Sequence, residues 1–146
     1  MHIEGGCYCG QIRYSFDGEP AGALQCHCRE CQYITGGNPN VIVILPESGF
    51  EFSTGKTSTF TRSDIDNAVT RHFCPNCGTS IWWGGDSDGP LAGRIGVAGG
   101  CFADPDFPPP TVALYEKRRH PWVSTPEGIT CFTDMPSLEG IENLID

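Results

Sequence analysis

The chain has 146 residues, so the sequence predicts a single domain, 1–146, that is large enough to bury its own core. Nine lysines and arginines against 18 aspartates and glutamates leave a formal charge of −9, which disfavours binding to nucleic acid or to an anionic membrane. The longest aliphatic run, 41–45, is far shorter than the roughly 18–20 residues that cross a bilayer, and the N-terminus lacks the pattern of a secretory leader. We therefore expect a cytoplasmic protein.

Short segments in which apolar and polar residues alternate indicate β-strands. The first is 11–16, where Ile12, Tyr14 and Phe16 share one face. Further strands are predicted at 41–45, 50–52, 57–62, 69–73, 80–83, 94–97 and 112–115. Helices are predicted only at 29–35 and at 137–145, and the proline-rich segment 104–110 is expected to be a surface connection and not a domain boundary. The sequence thus predicts a mainly β fold with little helix.

Nine cysteines are many for a chain of this size, and an odd number cannot all form internal disulfides. A reducing compartment would also keep them as thiols. Seven of them fall into three tight groups: Cys7 and Cys9; Cys26, Cys28 and Cys31; and Cys74 and Cys77. Grouped thiolates at such spacings are typical zinc ligands, so the pattern indicates metal binding.

The first and last groups together predict a closed zinc site. Cys7 and Cys9, one residue apart on an expected extended strand, would project from the same face. Cys74 and Cys77 flank a turn that begins at Pro75. Each pair can supply two corners of a tetrahedron, and four protein ligands are typical of a structural zinc that stabilises the fold.

The middle group predicts a different kind of site, because Cys26, Cys28 and Cys31 supply three thiolates within six residues. Three protein ligands and an open position are typical of catalytic zinc, and a soft site of this kind suits thiol chemistry with a small electrophile. A fourth ligand from Cys101, Cys131 or a histidine would instead close the site.

Several side chains near these motifs are further candidates. His27 lies between two of the cysteines and is either a partner in ligand positioning or acid–base chemistry, or an exposed imidazole. Arginines that can offset negative charge or bind a substrate carboxylate are Arg13, Arg29 and Arg71. Tryptophans that either wall a pocket or fill the core and its rim are Trp82, Trp83 and Trp122. The segment 35–38 either approaches a substrate or forms a turn.

Four motifs carry a resemblance that spans residues 5–123. They read GGCYCGQIRY, CHCRECQYITGG, HFCPNCGT and RRHPWV in chain order. With them the chain resembles the glutathione-dependent formaldehyde-activating enzyme family, which shares its domain with a centromere protein. The resemblance implies an Mss4-like fold of short antiparallel sheets held by zinc, with a structural zinc on Cys7, Cys9, Cys74 and Cys77 and a catalytic zinc on Cys26, Cys28 and Cys31.

The resemblance also implies an activity, the addition of the glutathione thiol to formaldehyde to give S-hydroxymethylglutathione, which is a carbon–sulfur lyase reaction in the reverse sense. Because the chain begins almost at the first zinc motif, elements that longer members use for glutathione are expected to be missing or altered. The alternative is a non-catalytic zinc module that presents a protein-binding surface. An exchangeable position on the second metal and a pocket beside Cys28 would distinguish the enzyme from the module.

Overall fold

The computed structural model describes residues 1–86 and 88–137, and most of its regular structure is β. The strands are β1 His2–Gly6, β2 Arg13–Asp17, β3 Gly22–Cys26, β4 Asn40–Pro46, β5 Phe50–Thr54, β6 Ser58–Phe60, β7 Arg71–Phe73, β8 Ser80–Gly84, β9 Arg94–Ala98, β10 Val112–Leu114 and β11 Thr130–Cys131. In the described residues there is one α-helix, α1 Arg29–Thr35, and there are single 3₁₀ turns at Glu47–Gly49, Gly99–Cys101 and Glu116–Arg118. The predicted mainly β class is confirmed.

Each strand that the alternation predicted is present, and α1 has the predicted bounds. Three strands were missed: β1, β3 and β11. β1 ends in two glycines and β3 begins with Gly-Ala, residues with low β-propensity, so pairing with β2 and β10 decides their conformation. The helix predicted at 137–145 lies outside the described residues beyond its first position. None of the described helices has the length and apolar character to span a bilayer.

Residues 1–20 and 44–107 form one compact unit. In this first unit β1, β2 and β5 form an antiparallel sheet in which β2 is central. A second antiparallel ladder runs from β6 through β7 and β8 to β9. Ile12, Tyr14 and Phe16, the face predicted from alternation, are almost completely buried. The Tyr14 ring packs on Phe50 with a centroid distance of 5.0 Å, and its hydroxyl donates to the Cys101 carbonyl at 3.1 Å.

Gly5 illustrates how closely the chain packs in this unit. A Cβ at Gly5 would lie well under 3.0 Å from the Cys101 carbonyl oxygen and from the Tyr14 hydroxyl. We expect Gly5→Ala to lower the free energy of unfolding by about 1–3 kcal/mol or more, because backbone must move to admit the methyl group. Gly100→Ala is the matched control, since nothing lies within 4 Å of its built Cβ. Chemical denaturation checks the pair, and equal midpoints would contradict the expectation.

Residues 21–43 and the described part of 108–146 form the second unit. β10 pairs in parallel with both β3 and β11. The sheets are therefore mixed, and the expected antiparallel pairing holds in the first unit. Cys26, Val112 and Leu114 form a buried cluster that Leu24 and Phe132 cover. The proline-rich connection 104–110 contains one of the points at which the chain passes from one unit to the other.

Cys28 caps the N-terminus of helix α1, and two glycines terminate the helix at its C-terminus. The Cys28 sulfur caps its N-terminus by accepting the Cys31 amide at 3.4 Å. Gly36 ends it in the left-handed conformation with φ 72°, and the Gly37 amide donates to the Gln32 carbonyl at 2.9 Å. The interpretation of 35–38 as a turn is confirmed. Because Cys28 is the cap and Cys31 lies in the first turn, the short helix brings two cysteines of the middle motif together.

Candidate metal centres

The first unit contains a four-cysteine cluster formed by Cys7, Cys9, Cys74 and Cys77, whose sulfurs all lie within 4.8 Å of one another. The Cys7 and Cys9 sulfurs are 3.6 Å apart, and those of Cys9 and Cys74 are 3.8 Å apart. Four sulfurs placed tetrahedrally about 2.3 Å from a zinc ion would be separated by about 3.8 Å. The donor set and its spacing therefore fit a tetrahedral zinc ion.

Two turns, and not the expected extended strand, present these sulfurs. Cys7 follows β1, and Cys9 lies in a turn that the Gly10 amide closes by donating to the Cys7 carbonyl at 3.2 Å. The Gly78 amide closes the other turn on the Cys74 carbonyl at 2.9 Å. Gly10 and Gly78 have φ of 83° and 75°. The prediction of a strand at Cys7 and Cys9 was wrong, because a left-handed glycine after the second cysteine reverses the chain.

Hydrogen bonds to the sulfurs complete this cluster. The Ile12 amide donates to the Cys7 sulfur at 3.2 Å, and the Thr79 hydroxyl lies 3.1 Å from the Cys77 sulfur. Burial raises the pKa of Cys7, but the Ile12 amide and neighbouring thiols more than offset it, so that this pKa is lowered. The Thr79 hydroxyl lowers the pKa of Cys77 to about 6. Arg13, a candidate for substrate binding, instead donates to the Cys7 and Ile12 carbonyls at 3.0 Å and supports the turn.

Thr79 was not singled out from the sequence, although it follows the second cysteine of the CPNCGT motif by two positions. Its hydroxyl also accepts the Tyr8 amide at 3.3 Å, so it joins both turns. We expect Thr79→Val to weaken zinc binding by about 10–100-fold, the usual effect of removing a hydrogen bond to a ligand. Competition against a chromophoric chelator measures this. Thr79→Ser keeps the hydroxyl and should retain the wild-type affinity; equal losses in both variants would show that the hydroxyl has no part in binding.

The second unit contains a three-cysteine cluster formed by Cys26, Cys28 and Cys31, again with all sulfurs within 4.8 Å of one another. Cys26 ends β3, Cys28 is the N-cap of α1, and Cys31 lies in the first turn of α1. Within residues 1–86 and 88–137 no further histidine, cysteine or carboxylate joins this group. The Cys26 and Cys31 thiols lower the pKa of Cys28 by hydrogen bonding to its sulfur. Three soft, converging sulfur donors fit a zinc ion as well.

The two remaining cysteines have other contacts. The Cys101 thiol donates to the Ser80 carbonyl at 3.4 Å in the first unit, and burial raises its pKa to about 11. Cys131 is exposed, and its thiol lies 3.8 Å from the Ile129 carbonyl. Neither belongs to the two clusters.

His27 is buried and belongs to a polar network, so the alternative of an exposed imidazole is wrong. Its Nε2 lies 3.1 Å from Nε2 of Gln25 and 3.5 Å from a carboxylate oxygen of Glu116. Glu116 also pairs with Arg119 and accepts the Thr125 hydroxyl at 2.9 Å. Burial lowers the pKa of His27. The ring therefore anchors the peptide between Cys26 and Cys28 to the turn at Glu116–Arg118.

Sequence reasoning missed the partners that hold this loop. Gln32, which is buried, donates to the His27 carbonyl at 3.0 Å and to the Arg118 carbonyl at 2.8 Å. Tyr115 packs against the cluster around Cys26 and adopts a left-handed φ of 56°, which is unfavourable for a non-glycine residue. The position of Gln32 beside Cys31 in the CHCRECQ motif was the one signal in the sequence. Nothing in the local sequence marks Tyr115.

The remaining candidate side chains, Arg71 and the three tryptophans, differ in their contacts and in their burial. Arg71 donates to the Ser80 hydroxyl at 3.1 Å and its guanidinium lies 4.9 Å from the Phe73 ring centroid. Trp82 is buried and stacks on His72 at 3.4 Å, as a core residue does. Trp83 is half-buried. Trp122 is 73% exposed and stacks on His120 at 4.3 Å.

A cavity of about 480 Å³ lies in the first unit. Cys7 and Thr79 of the four-cysteine cluster line it, together with Glu4, Arg13 and Tyr14. One acidic and one basic side chain are therefore among its lining residues.

Comparison with known proteins decides the family. Residues 2–118 match the family model described as glutathione-dependent formaldehyde-activating enzyme. The chain belongs to this family. The resemblance inferred from the three cysteine motifs and the RRHPWV motif is thereby confirmed.

Two relatives illustrate the range of similarity. A protein of Halomonas elongata, provisionally named as a glutathione-dependent formaldehyde-activating enzyme, is 28% identical over 87 residues. That match covers 56% of this chain and 55% of the relative, so the chain spans about half the length of this curated relative. The crystal structure of a Rhodobacter sphaeroides protein matches with a TM-score of 0.55 at 17% identity, over 73% of this chain and 91% of that one. The second similarity concerns the fold alone.

Proposed function

We propose that this chain catalyses the addition of the glutathione thiol to formaldehyde, as a zinc-dependent carbon–sulfur lyase working in the synthetic direction. The observation that carries the proposal is the three-cysteine cluster, in which Cys26, Cys28 and Cys31 converge without a fourth protein donor from the described residues. Membership of the family supports the two substrates. The name of the Halomonas elongata relative supports the same pair.

The four-cysteine cluster is assigned to a structural zinc. Its ligands come from two turns, and Cys9 of the first turn precedes Cys74 of the second by 65 residues. A bound ion would therefore cross-link distant parts of the first unit. Four thiolates complete a tetrahedral shell and leave no position for substrate. With a second zinc ion at the three-cysteine cluster, we propose two zinc ions per chain.

The three-cysteine cluster is assigned to the catalytic zinc. Zinc on three thiolates supplies a fourth position that favours a thiol in its thiolate form and can polarise an aldehyde oxygen. The chain's own residues set the geometry of that position. Cys28 and Cys31 are fixed by the start of α1, and His27 holds the preceding peptide through Glu116. We assign His27 to this positioning role, since its Nε2 faces Gln25 and Glu116.

The reaction itself is an addition in which all atoms are retained. The glutathione sulfur forms a bond to the formaldehyde carbon while the carbonyl π electrons move to oxygen. The oxygen then takes up the proton that the thiol released, which gives the S-hydroxymethyl adduct. The reverse reaction breaks the same carbon–sulfur bond, which is why the activity is of the lyase class.

The test is the rate of adduct formation with zinc-loaded protein, glutathione and ¹³C-formaldehyde. Exchange NMR separates the protein-dependent rate from the spontaneous reaction, because only the former grows with protein concentration. We expect a rate proportional to the concentration of protein, with Cys131→Ser as a fully active control. A rate that is the same at every protein concentration would contradict the proposal and favour the non-catalytic zinc module.

A further inference from the structure

The positive charges of the second unit differ in how they are paired. Lys117 pairs with Asp134 at 2.6 Å, and Arg119 pairs with Glu116. These two cations are therefore neutralised by carboxylates of the same unit.

Arg29 and Arg118 are the other two cations in the described part of this unit, and both are exposed. Neither forms an ion pair with a carboxylate in residues 1–86 or 88–137. In a chain of net charge −9 this is notable, because acidic residues outnumber basic ones two to one.

A single buried amide, that of Gln32, contacts the side chain of Arg29 and the backbone of Arg118. The Arg29 guanidinium donates through Nη1 to Oε1 of Gln32 at 2.6 Å, and the Gln32 Nε2 donates to the Arg118 carbonyl at 2.8 Å. Gln32 is only 4% exposed, and both its amide oxygen and its amide nitrogen are hydrogen-bonded. The Arg29 guanidinium also lies 5.0 Å over the exposed Tyr33 ring. Arg29 is thus held by neutral groups, and within residues 1–86 and 88–137 its other N–H donors have no acceptor and can serve an outside ligand.

Both arginines are near the three-cysteine cluster. Arg29 directly follows Cys28 in the chain. The Gln32 Nε2 that donates to the Arg118 carbonyl also donates to the carbonyl of His27, which lies between Cys26 and Cys28, at 3.0 Å. The Arg118 amide also donates to the Tyr115 carbonyl at 2.9 Å, and Tyr115 packs against the cluster around Cys26.

The chemistry of the proposed substrate requires positive charge at such a position. Three thiolates and a divalent ion leave one net negative charge, and glutathione brings two carboxylates and one ammonium group. An anionic thiol would be repelled by its own binding site unless cations offset the charge. A guanidinium is the group best suited to a carboxylate, because it can form two parallel hydrogen bonds.

We infer that Arg29 and Arg118 bind the carboxylates of a peptide thiol beside the three-cysteine cluster, and so select an anionic thiol over a neutral one. This inference rests on the proposed function, and it names the residues that determine the thiol specificity of the same site.

The test compares Arg29→Gln, Arg118→Gln and the double variant with wild type, all loaded with zinc. Lys56→Gln is the matched control, since it removes one exposed positive charge from the first unit. The probes are S-methylglutathione, which has both carboxylates but no thiol proton, and its diethyl ester, which has neither carboxylate charge. Binding is measured by NMR titration, and circular dichroism and zinc content verify that each variant is folded and loaded.

We expect the Kd for S-methylglutathione to rise about 5–10-fold in each single variant and further in the double variant. The Kd for the diethyl ester should not rise in any variant, because this probe has no carboxylate for the arginines to bind, and Lys56→Gln should match wild type with both probes. Equal binding of S-methylglutathione by wild type and the double variant, or no binding by wild type, would overturn the inference. Failure of the proposed function is a separate outcome, seen as adduct formation that does not depend on protein concentration.

Discussion

Cys77→Ser should leave the chain unable to fold stably and with no more than one zinc ion. Cys77 is only half-buried, so serine fits its position sterically and the effect will come from the lost ligand. Structural zinc sites bind with apparent free energies of about 10–16 kcal/mol, as large as the whole stability of a typical domain, about 5–15 kcal/mol. Circular dichroism, thermal unfolding and metal analysis of chelator-free protein measure the outcome.

Cys101→Ser is the control for this experiment. Cys101 is a buried thiol of the same unit outside the cluster, and serine can still donate to the Ser80 carbonyl that Cys101 contacts at 3.4 Å. We expect this variant to fold and to hold two zinc ions. If Cys77→Ser had the wild-type melting temperature and metal content, the four-cysteine cluster would not be a structural zinc site.

Cys28→Ser should give the opposite pattern, a folded protein that holds one zinc ion and is inactive. Serine is one of the best N-caps, so the hydroxyl can accept the Cys31 amide as the Cys28 sulfur does, and α1 keeps its cap. The site loses one of three ligands, and we expect the protein-dependent rate of adduct formation to fall at least about 100-fold, the upper end of losses seen for groups that support a metal.

Exchange NMR and metal analysis measure this, with Cys131→Ser as the control because Cys131 is an exposed thiol of the same unit. A melting temperature close to wild type would agree with a catalytic site. Equal loss of structure in Cys28→Ser and Cys77→Ser would instead show two structural sites and favour the non-catalytic module.

The candidate ligands could be recognised from the sequence because their chemistry is carried by residue type and local spacing. Cys26, Cys28 and Cys31 lie close in the chain, so a turn of helix suffices to bring their sulfurs together. The pairing of Cys7 and Cys9 with Cys74 and Cys77 is a long-range contact, and the family resemblance implied it. The local conformation at Cys7 was predicted wrongly, since the left-handed Gly10 reverses the chain where a strand was expected.

The supporting residues could not be found in the same way. Gln25, Gln32 and Glu116 have ordinary polar side chains, and their importance comes from their contacts with His27 or with the Arg118 carbonyl. Strands β1 and β3 were missed for a related reason, because their glycines and alanine have little β-propensity and their partners β2 and β10 impose the extended form.

The sequence by itself determined the mainly β class, the α1 bounds and the identity of the seven clustered cysteines, since periodicity, capping residues and thiol spacing are local properties. Only the tertiary structure decided that His27 is buried against Glu116, that Arg13 supports a turn, and that Arg29 and Arg118 share Gln32. These outcomes depend on which segments meet after folding. A side chain's hydrogen-bond partners and burial are set by residues distant in the chain, and no local pattern specifies them.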